Sequence, residues 1–264
     1  MIFRSYNAGA KTLAGTTAAT YVFNSSDIPG TGVSKYHLSM TTASGTTNDF
    51  STIVRSRIKA AGQTIWDVAS AHLQALTQAM GRSNLAPVAG STSWTLPMTK
   101  INYGDNDALQ YLGGFPKGLA PTVEVVNSGL GGPGTLIAGW TQSDQPFQFF
   151  PKLLGSQLNI PASVTNARFP ITQDGLIAGF SINTTGLDRI RVKLSGVEIM
   201  NISGAQFLAT QQIDNTVVVT NPYFVKLEFP MGALGGDSFF ELDTNGSWAG
   251  VSNEVTIYSI LPNS

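Results

Sequence analysis

Five carboxylates fall in two short stretches where a divalent cation would find oxygen ligands: Asp105 with Asp107, and Asp237 with Glu241 and Asp243. Calcium accepts about six to eight oxygens in loose geometry, so carboxylates in loops are the first residues to weigh as its ligands. Each group follows a Pro-Met pair, Pro97-Met98 or Pro230-Met231. The spacing fits no EF-hand and loop acids are ordinarily solvated, which leaves these five as calcium candidates and nominates no other metal. His37 and His72 stand apart on a predicted strand and a predicted helix, with no partner at metal-ligand spacing. No Ser occupies a G-x-S-x-G elbow, and the chain has no Cys. No catalytic residue and no cofactor site is assigned.

Arg57 with Lys59, and Arg191 with Lys193, are basic pairs two residues apart. On a strand such pairs share one face, where they meet carboxylates of a neighbouring half or chain, or stay solvated. Gly129, Gly131 and Gly134 spell G-x-G-x-x-G after a predicted strand. A dinucleotide site also needs a helix opening at the third glycine and an acid about 20 positions further on. Pro133 precedes Gly134, Thr135 to Trp140 follow, and no suitable acid appears, so the run reads as a flexible linker. The cluster Phe147-Gln148-Phe149-Phe150-Pro151, near Trp140, suits burial where halves or chains meet better than a sugar platform. Asn24, Asn183, Asn201 and Asn245 open Asn-x-Ser/Thr sequences, which mean little without a secretory signal.

The elements that must position these residues are mostly short strands between Gly, Pro, Asn and Ser. Predicted strands cover 20–23, 36–41, 52–58, 92–98, 122–126, 176–182, 189–194, 216–220, 224–229, 238–242 and 255–260. Val225-Lys226-Leu227-Glu228-Phe229 alternates as a strand with one buried face should. A helix is expected over Val68–Met80, capped by Asp67 and ended by Gly81. Its apolar face would be Ala69, Leu73, Leu76 and Met80. A second helix is expected over Gly204–Gln212, with Asn201 or Ser203 as its cap. Breakers crowd residues 127–160, which points to a boundary without a long element.

Charged residues make up 12% of the 264-residue chain, with a formal net charge of −1. That is about half the usual charged share. Such a surface repels copies of itself weakly and lacks the clustered cations that grip nucleic acid. The N-terminus shows no signal-like apolar stretch, and no run approaches the ~18 apolar residues of a membrane span. A soluble protein is expected, with the redox compartment left open by the missing cysteines.

Residues 57–78 return in altered form at 191–212, 134 positions later. Arg57, Lys59, Gly62, Ile65, Ala71, Ala75 and Gln78 match Arg191, Lys193, Gly196, Ile199, Ala205, Ala209 and Gln212. Leu96-Pro97-Met98 matches Phe229-Pro230-Met231 at an offset of 133, and 122–125 matches 254–257 at 132. The chain reads as one module written twice, divided as 1–140 and 141–264. The doubled positions 65, 68, 73 and 199, 202, 207, all apolar, are expected in the cores.

Two equal β-rich modules, each with a short helix, resemble the double jelly-roll major capsid proteins of tailless, membrane-containing icosahedral bacteriophages. The likeness rests on 52–80 with 92–126 and on 176–212 with 224–260. It implies an all-β fold of two tandem jelly-roll β-barrels, each with a short α-helix. It further implies a non-enzymatic capsid protein of the virion, made in the host cytoplasm. Its partners would be itself, as a homotrimer and neighbouring trimers, with penton or other minor capsid proteins and an underlying lipid membrane, but no nucleic acid. The competing reading is a tandem β-sandwich lectin or receptor-binding spike, using Trp94, Trp140 or Trp248 on sugars. An enzyme on a cupin-like scaffold would need a metal cluster that two histidines do not supply.

Overall fold

The computed structural model describes residues 3–13, 17–24, 32–42, 53–60, 62–79, 91–97, 115–116, 122–129, 134–143, 149–158, 160, 163–172, 174–184, 186–214, 222–232, 237–245 and 253–262. The elements begin with β1 (Phe3–Leu13), β2 (Ala19–Asn24), β3 (Gly32–Thr42), β4 (Ile53–Ala60), β5 (Gln63–Ala69) and α1 (Ser70–Ala79). They continue with β6 (Ser91–Pro97), β7 (Phe115–Pro116), β8 (Thr122–Asn127), β9 (Gly134–Ser143), β10 (Phe149–Leu158) and β11 (Asn166–Pro170). The last are β12 (Leu176–Ile182), β13 (Leu187–Leu194), β14 (Val197–Ser203), α2 (Gly204–Asp214), β15 (Tyr223–Gly232), β16 (Phe239–Thr244) and β17 (Asn253–Pro262). Among the described residues no helix is long and apolar enough to cross a membrane.

The chain divides into two compact units, one of Met1–Leu73 with Ser83–Pro151 and Pro262–Ser264, the other of Gln74–Arg82 with Lys152–Leu261. The 140/141 division drawn on the sequence falls inside β9. In the first unit one sheet runs β1-β9-β3-β6, with β7 on β3, and the other runs β2-β8-β4-β5. In the second the orders are β10-β17-β12-β15 and β11-β16-β13-β14. With β7 set aside and each unit's strands numbered one to eight, both read 1-8-3-6 and 2-7-4-5. That interleaving of two Greek keys is the jelly-roll pattern.

Alternation explains why these segments are strands. Inward Ile190, Val192 and Leu194 of β13 are buried, while Arg189, Arg191 and Lys193 between them are half-buried on the other face. The second core closes between its sheets, with Phe180 of β12 stacked on Phe240 of β16 at 3.7 Å between ring centroids. Phe207 of α2 joins the same core edge-on to Tyr223. In the first unit Phe23, Ile58, Val68, Val123, Val125, Leu136 and Trp140 are buried. Ile65 and Leu73 are also buried, whereas Ile199 and Ile202 are half-buried against the second core.

The repeat is tightest at the β4–β5 and β13–β14 hairpins. Arg55↔Ala69, Arg57↔Asp67 and Lys59↔Thr64 in the first correspond to Arg189↔Ser203, Arg191↔Asn201 and Lys193↔Glu198 in the second, each shifted by 134. Both ladders slip at the same step, Ile58/Lys59 and Val192/Lys193. Pro97 and Pro230 also lie on matching strands, β6 and β15.

Several expectations are corrected. The 122–125 and 254–257 segments lie on β8 and β17, which are the seventh and eighth strands of their units. The true counterpart of β8 is β16, because the connection from Pro97 to Thr122 is sixteen residues longer than that from Pro230 to Phe239. The breaker-rich 127–160 stretch holds two ten-residue strands, β9 and β10, since sheet pairing on β9 absorbs its glycines. Helix α1 opens at Ser70, not Val68, and Asp67 belongs to β5, where arginine side chains hold its carboxylate. The predicted strand 216–220 lies outside the described residues.

Candidate functional site

An inner strand of each hairpin sheet carries three alternating cations on its outer face, Arg55, Arg57 and Lys59 on β4 and Arg189, Arg191 and Lys193 on β13. Alternation puts them there because Ser56, Ile58 and Ala60, or Ile190, Val192 and Leu194, take the inward positions. Neighbouring strands supply the counter-charges. Arg57 Nε donates to Asp67 Oδ1 at 3.1 Å, Arg55 donates to the same oxygen, and Lys59 Nζ reaches Glu124 Oε1 at 2.7 Å.

The second ladder repeats this layout with different partners. Arg191 Nη1 donates to Glu241 Oε1 at 2.8 Å and its Nε lies 3.3 Å from Glu198 Oε2. Arg189 Nε donates to Asn201 Oδ1 at 2.9 Å, and Lys193 Nζ sits 3.0 Å from Asp237 Oδ2. Arg168 of β11 also pairs with Asp237, and its guanidinium lies 3.5 Å from the centroid of the Phe239 ring. Half-exposed ion pairs of this kind contribute about 0–1 kcal/mol each. Their effect is to fix side-chain directions over the sheet more than to hold the fold.

The calcium candidates can now be located. Glu241 and Asp243 lie on strand β16, and Asp237 precedes it. Asn166 Nδ2 donates to Asp243 and lies 3.4 Å from Glu241 Oε1. The hydrogen bond from Lys193, with Arg168 beside it, holds the Asp237 carboxyl below the usual carboxylate range, against an opposing desolvation. All three acids are thus engaged by nitrogen donors. Among the described residues no group of three or more His, Cys, Asp or Glu side chains converges as a metal site. Asp105 and Asp107 lie outside the described residues.

His72 is buried on α1, whereas Gln206, 134 positions later on α2, is exposed. His37 lies on β3. No helix opens at Gly134, which begins β9; Gly129 instead takes a φ of +103° in the turn after β8, where its N–H donates to Asn127 Oδ1 at 2.7 Å. Trp140 is fully buried and offers no platform for a sugar, while Trp248 lies outside the described residues and Trp94 is on β6. Sequence reasoning missed Asp67, Glu124 and Glu241 as partners of the basic rows. The available signal was an acid between apolar residues, Val123-Glu124-Val125 and Phe240-Glu241-Leu242.

No family model matches the chain, and no curated protein matches it in sequence. Its structure is similar to the major capsid protein P2 of bacteriophage PM2, with a TM-score of 0.69 at 12% identity, over 100% of this chain and 98% of that one. The chain is a double jelly roll. A second similar structure is the major capsid protein of Sulfolobus Turreted Icosahedral Virus, at a TM-score of 0.67 and 12% identity, covering 98% of this double jelly roll and 96% of that chain. A third is the PBCV-1 virus capsid, at 0.57 and 11% identity, covering 99% and 94%. These three similar structures are viral capsid proteins, each aligned over at least 94% of both chains.

Proposed function

We propose that this double jelly roll is a viral major capsid protein that assembles as pseudo-hexagonal homotrimers into an icosahedral shell. The observation that carries the reading is the two-way coverage: 100% of this chain and 98% of the PM2 capsid protein align, so neither has a large region that the other lacks. The doubled module supports it on physical grounds. Two similar barrels per chain, turned by a threefold axis, make six similar units around a centre, and six-sided tiles pave a shell. The low charge content supports it too, because large faces meet without stranding ions. The paired cations of β4 and β13 are structural in this reading, and the chain has no enzymatic activity. Its partners are itself, other trimers, minor capsid proteins at the shell vertices and a lipid layer beneath, within a virion made in the host cytoplasm.

Native mass spectrometry of the released subunit, with negative-stain microscopy of its source particles, tests the reading. A trimer from particles with an icosahedral outline is expected. A species that stays monomeric at high concentration, from material that never forms shells, would overturn it.

A further inference from the structure

Among the described residues Ser195 is the one non-glycine with a positive φ, at +50°. It opens the two-residue turn between the paired Leu194 and Val197, and Gly196 follows at +83°. A hairpin turn this short asks for positive φ at both positions, which Gly or Asn meets more easily than Ser. Strain of that kind persists only where the surroundings over-determine it.

Here a single dipeptide, Asp237-Ser238, holds both turn residues. The Ser195 N–H donates to Ser238 Oγ at 2.8 Å, and the Gly196 N–H donates to the Asp237 carbonyl at 3.2 Å. The Ser195 hydroxyl adds a third bond, to the Gly232 carbonyl at 3.3 Å. The dipeptide is itself fixed from two sides. The Ser238 carbonyl accepts from the Ile171 N–H at 3.0 Å, and the Asp237 carboxylate lies between Arg168 of β11 and Lys193 of β13. Ser238 is 8% exposed, whereas the Asp237 side chain is 52% exposed, so the hydroxyl is shielded while the ion pairs meet solvent. The first copy lacks these two side chains. Glu124 and Glu241 are equivalent, since each faces the middle arginine of its row, Arg57 or Arg191. Counting back from them, Ala120 and Pro121 stand where Asp237 and Ser238 do.

We propose that Asp237-Ser238 is a latch closed over a strained turn, which lets the β13–β14 tip open alone while the second barrel stays folded. Salt is the trigger that the geometry offers, because ions screen the half-exposed pairs of Asp237 and leave the strain of the turn untouched. Opening releases Arg168 and Lys193 from Asp237 and lets Ser195 leave its left-handed conformation. The inference stands on residues of the second unit alone and does not rest on the capsid reading.

The test is amide hydrogen exchange on the full chain, with the intrinsic rate of each sequence divided out. The reporter is the Gly196 amide, and Ile190 and Val192 of β13 serve as the reference for the barrel. Raising salt from about 0.1 M to about 1 M shortens the screening length from roughly 10 Å to roughly 3 Å. That change is expected to speed exchange at Gly196 by about three- to tenfold, the range of two exposed ion pairs. Ser238→Ala removes the acceptor of the Ser195 N–H and is expected to speed Gly196 by about tenfold in dilute salt. Ser195→Gly removes the strain, so adding it to Ser238→Ala is expected to bring Gly196 back towards the wild-type rate. Ile190 and Val192 stay slow throughout. If salt or Ser238→Ala leaves Gly196 unchanged, if Ile190 and Val192 speed up with it, or if Ser195→Gly restores nothing, the inference is overturned. Should Ser238→Ala fail to fold, the salt series on the wild-type chain decides alone.

Discussion

At Gly62 and Gly196 the backbone takes φ of +78° and +83°, a left-handed turn that residues with a Cβ adopt at a cost. The two glycines stand 134 positions apart because each hairpin needs the same turn, and that need is visible in the sequence. Phe207 and Asp237 show the other two ways a single residue acts here. Phe207 is 5% exposed and packs edge-on to Tyr223, so Phe207→Ala is expected to destabilise by roughly 3–5 kcal/mol in chemical denaturation. A change below ~0.5 kcal/mol would place it among surface residues. Asp237 titrates in the folded chain below its ordinary value of 3.8, chiefly through its hydrogen bond from Lys193 and then through Arg168. A lowered carboxyl adds stability that is complete above the ordinary value and is lost as the pH falls through the lowered one. The acid limb of a plot of melting temperature against pH should therefore flatten in Asp237→Asn. An unchanged limb would mean that the pairing does not favour the folded state.

Among the elements, the start of each helix shows how far local signals reach. At α2 the expected Ser203 is the cap: its Oγ accepts from the Gln206 N–H at 3.2 Å, while Gln206 Oε1 accepts from the Ser203 N–H at 3.0 Å. This reciprocal pair satisfies two backbone donors at the helix start. Ser203→Ala should cost about 1 kcal/mol, and an equally stable variant would show that other contacts hold the end of β14. At α1 the same logic chose Asp67 and failed. An acid before an apolar run looks like a cap, but β5 continues through Ala69, and Arg55 and Arg57 across the ladder claim the carboxylate. The third repeat anchor failed for a related reason. Buried strands share a two-residue period, so Val123-Glu124-Val125 aligns with β17 nearly as well as with its real counterpart on β16.

For the whole molecule, the calcium question reduces to a chelation experiment. Asp237, Glu241 and Asp243 are already engaged by Arg168, Lys193, Arg191 and Asn166, so EGTA is expected to leave the melting temperature of the isolated subunit unchanged. A large drop would restore calcium to this acidic group or to Asp105 and Asp107. The sequence by itself determined that the chain is β-rich, that it is one module written twice, and that 57–78 and 191–212 are the same element. Those facts are carried by two-residue alternation, turn glycines and a helix stop, all of which act within a few residues. Only the tertiary structure decided that β8 matches β16 across a shortened connection, and that Asp67 faces two arginines. Each of these depends on which distant segment arrives beside a strand, and local periodicity carries no record of that arrival.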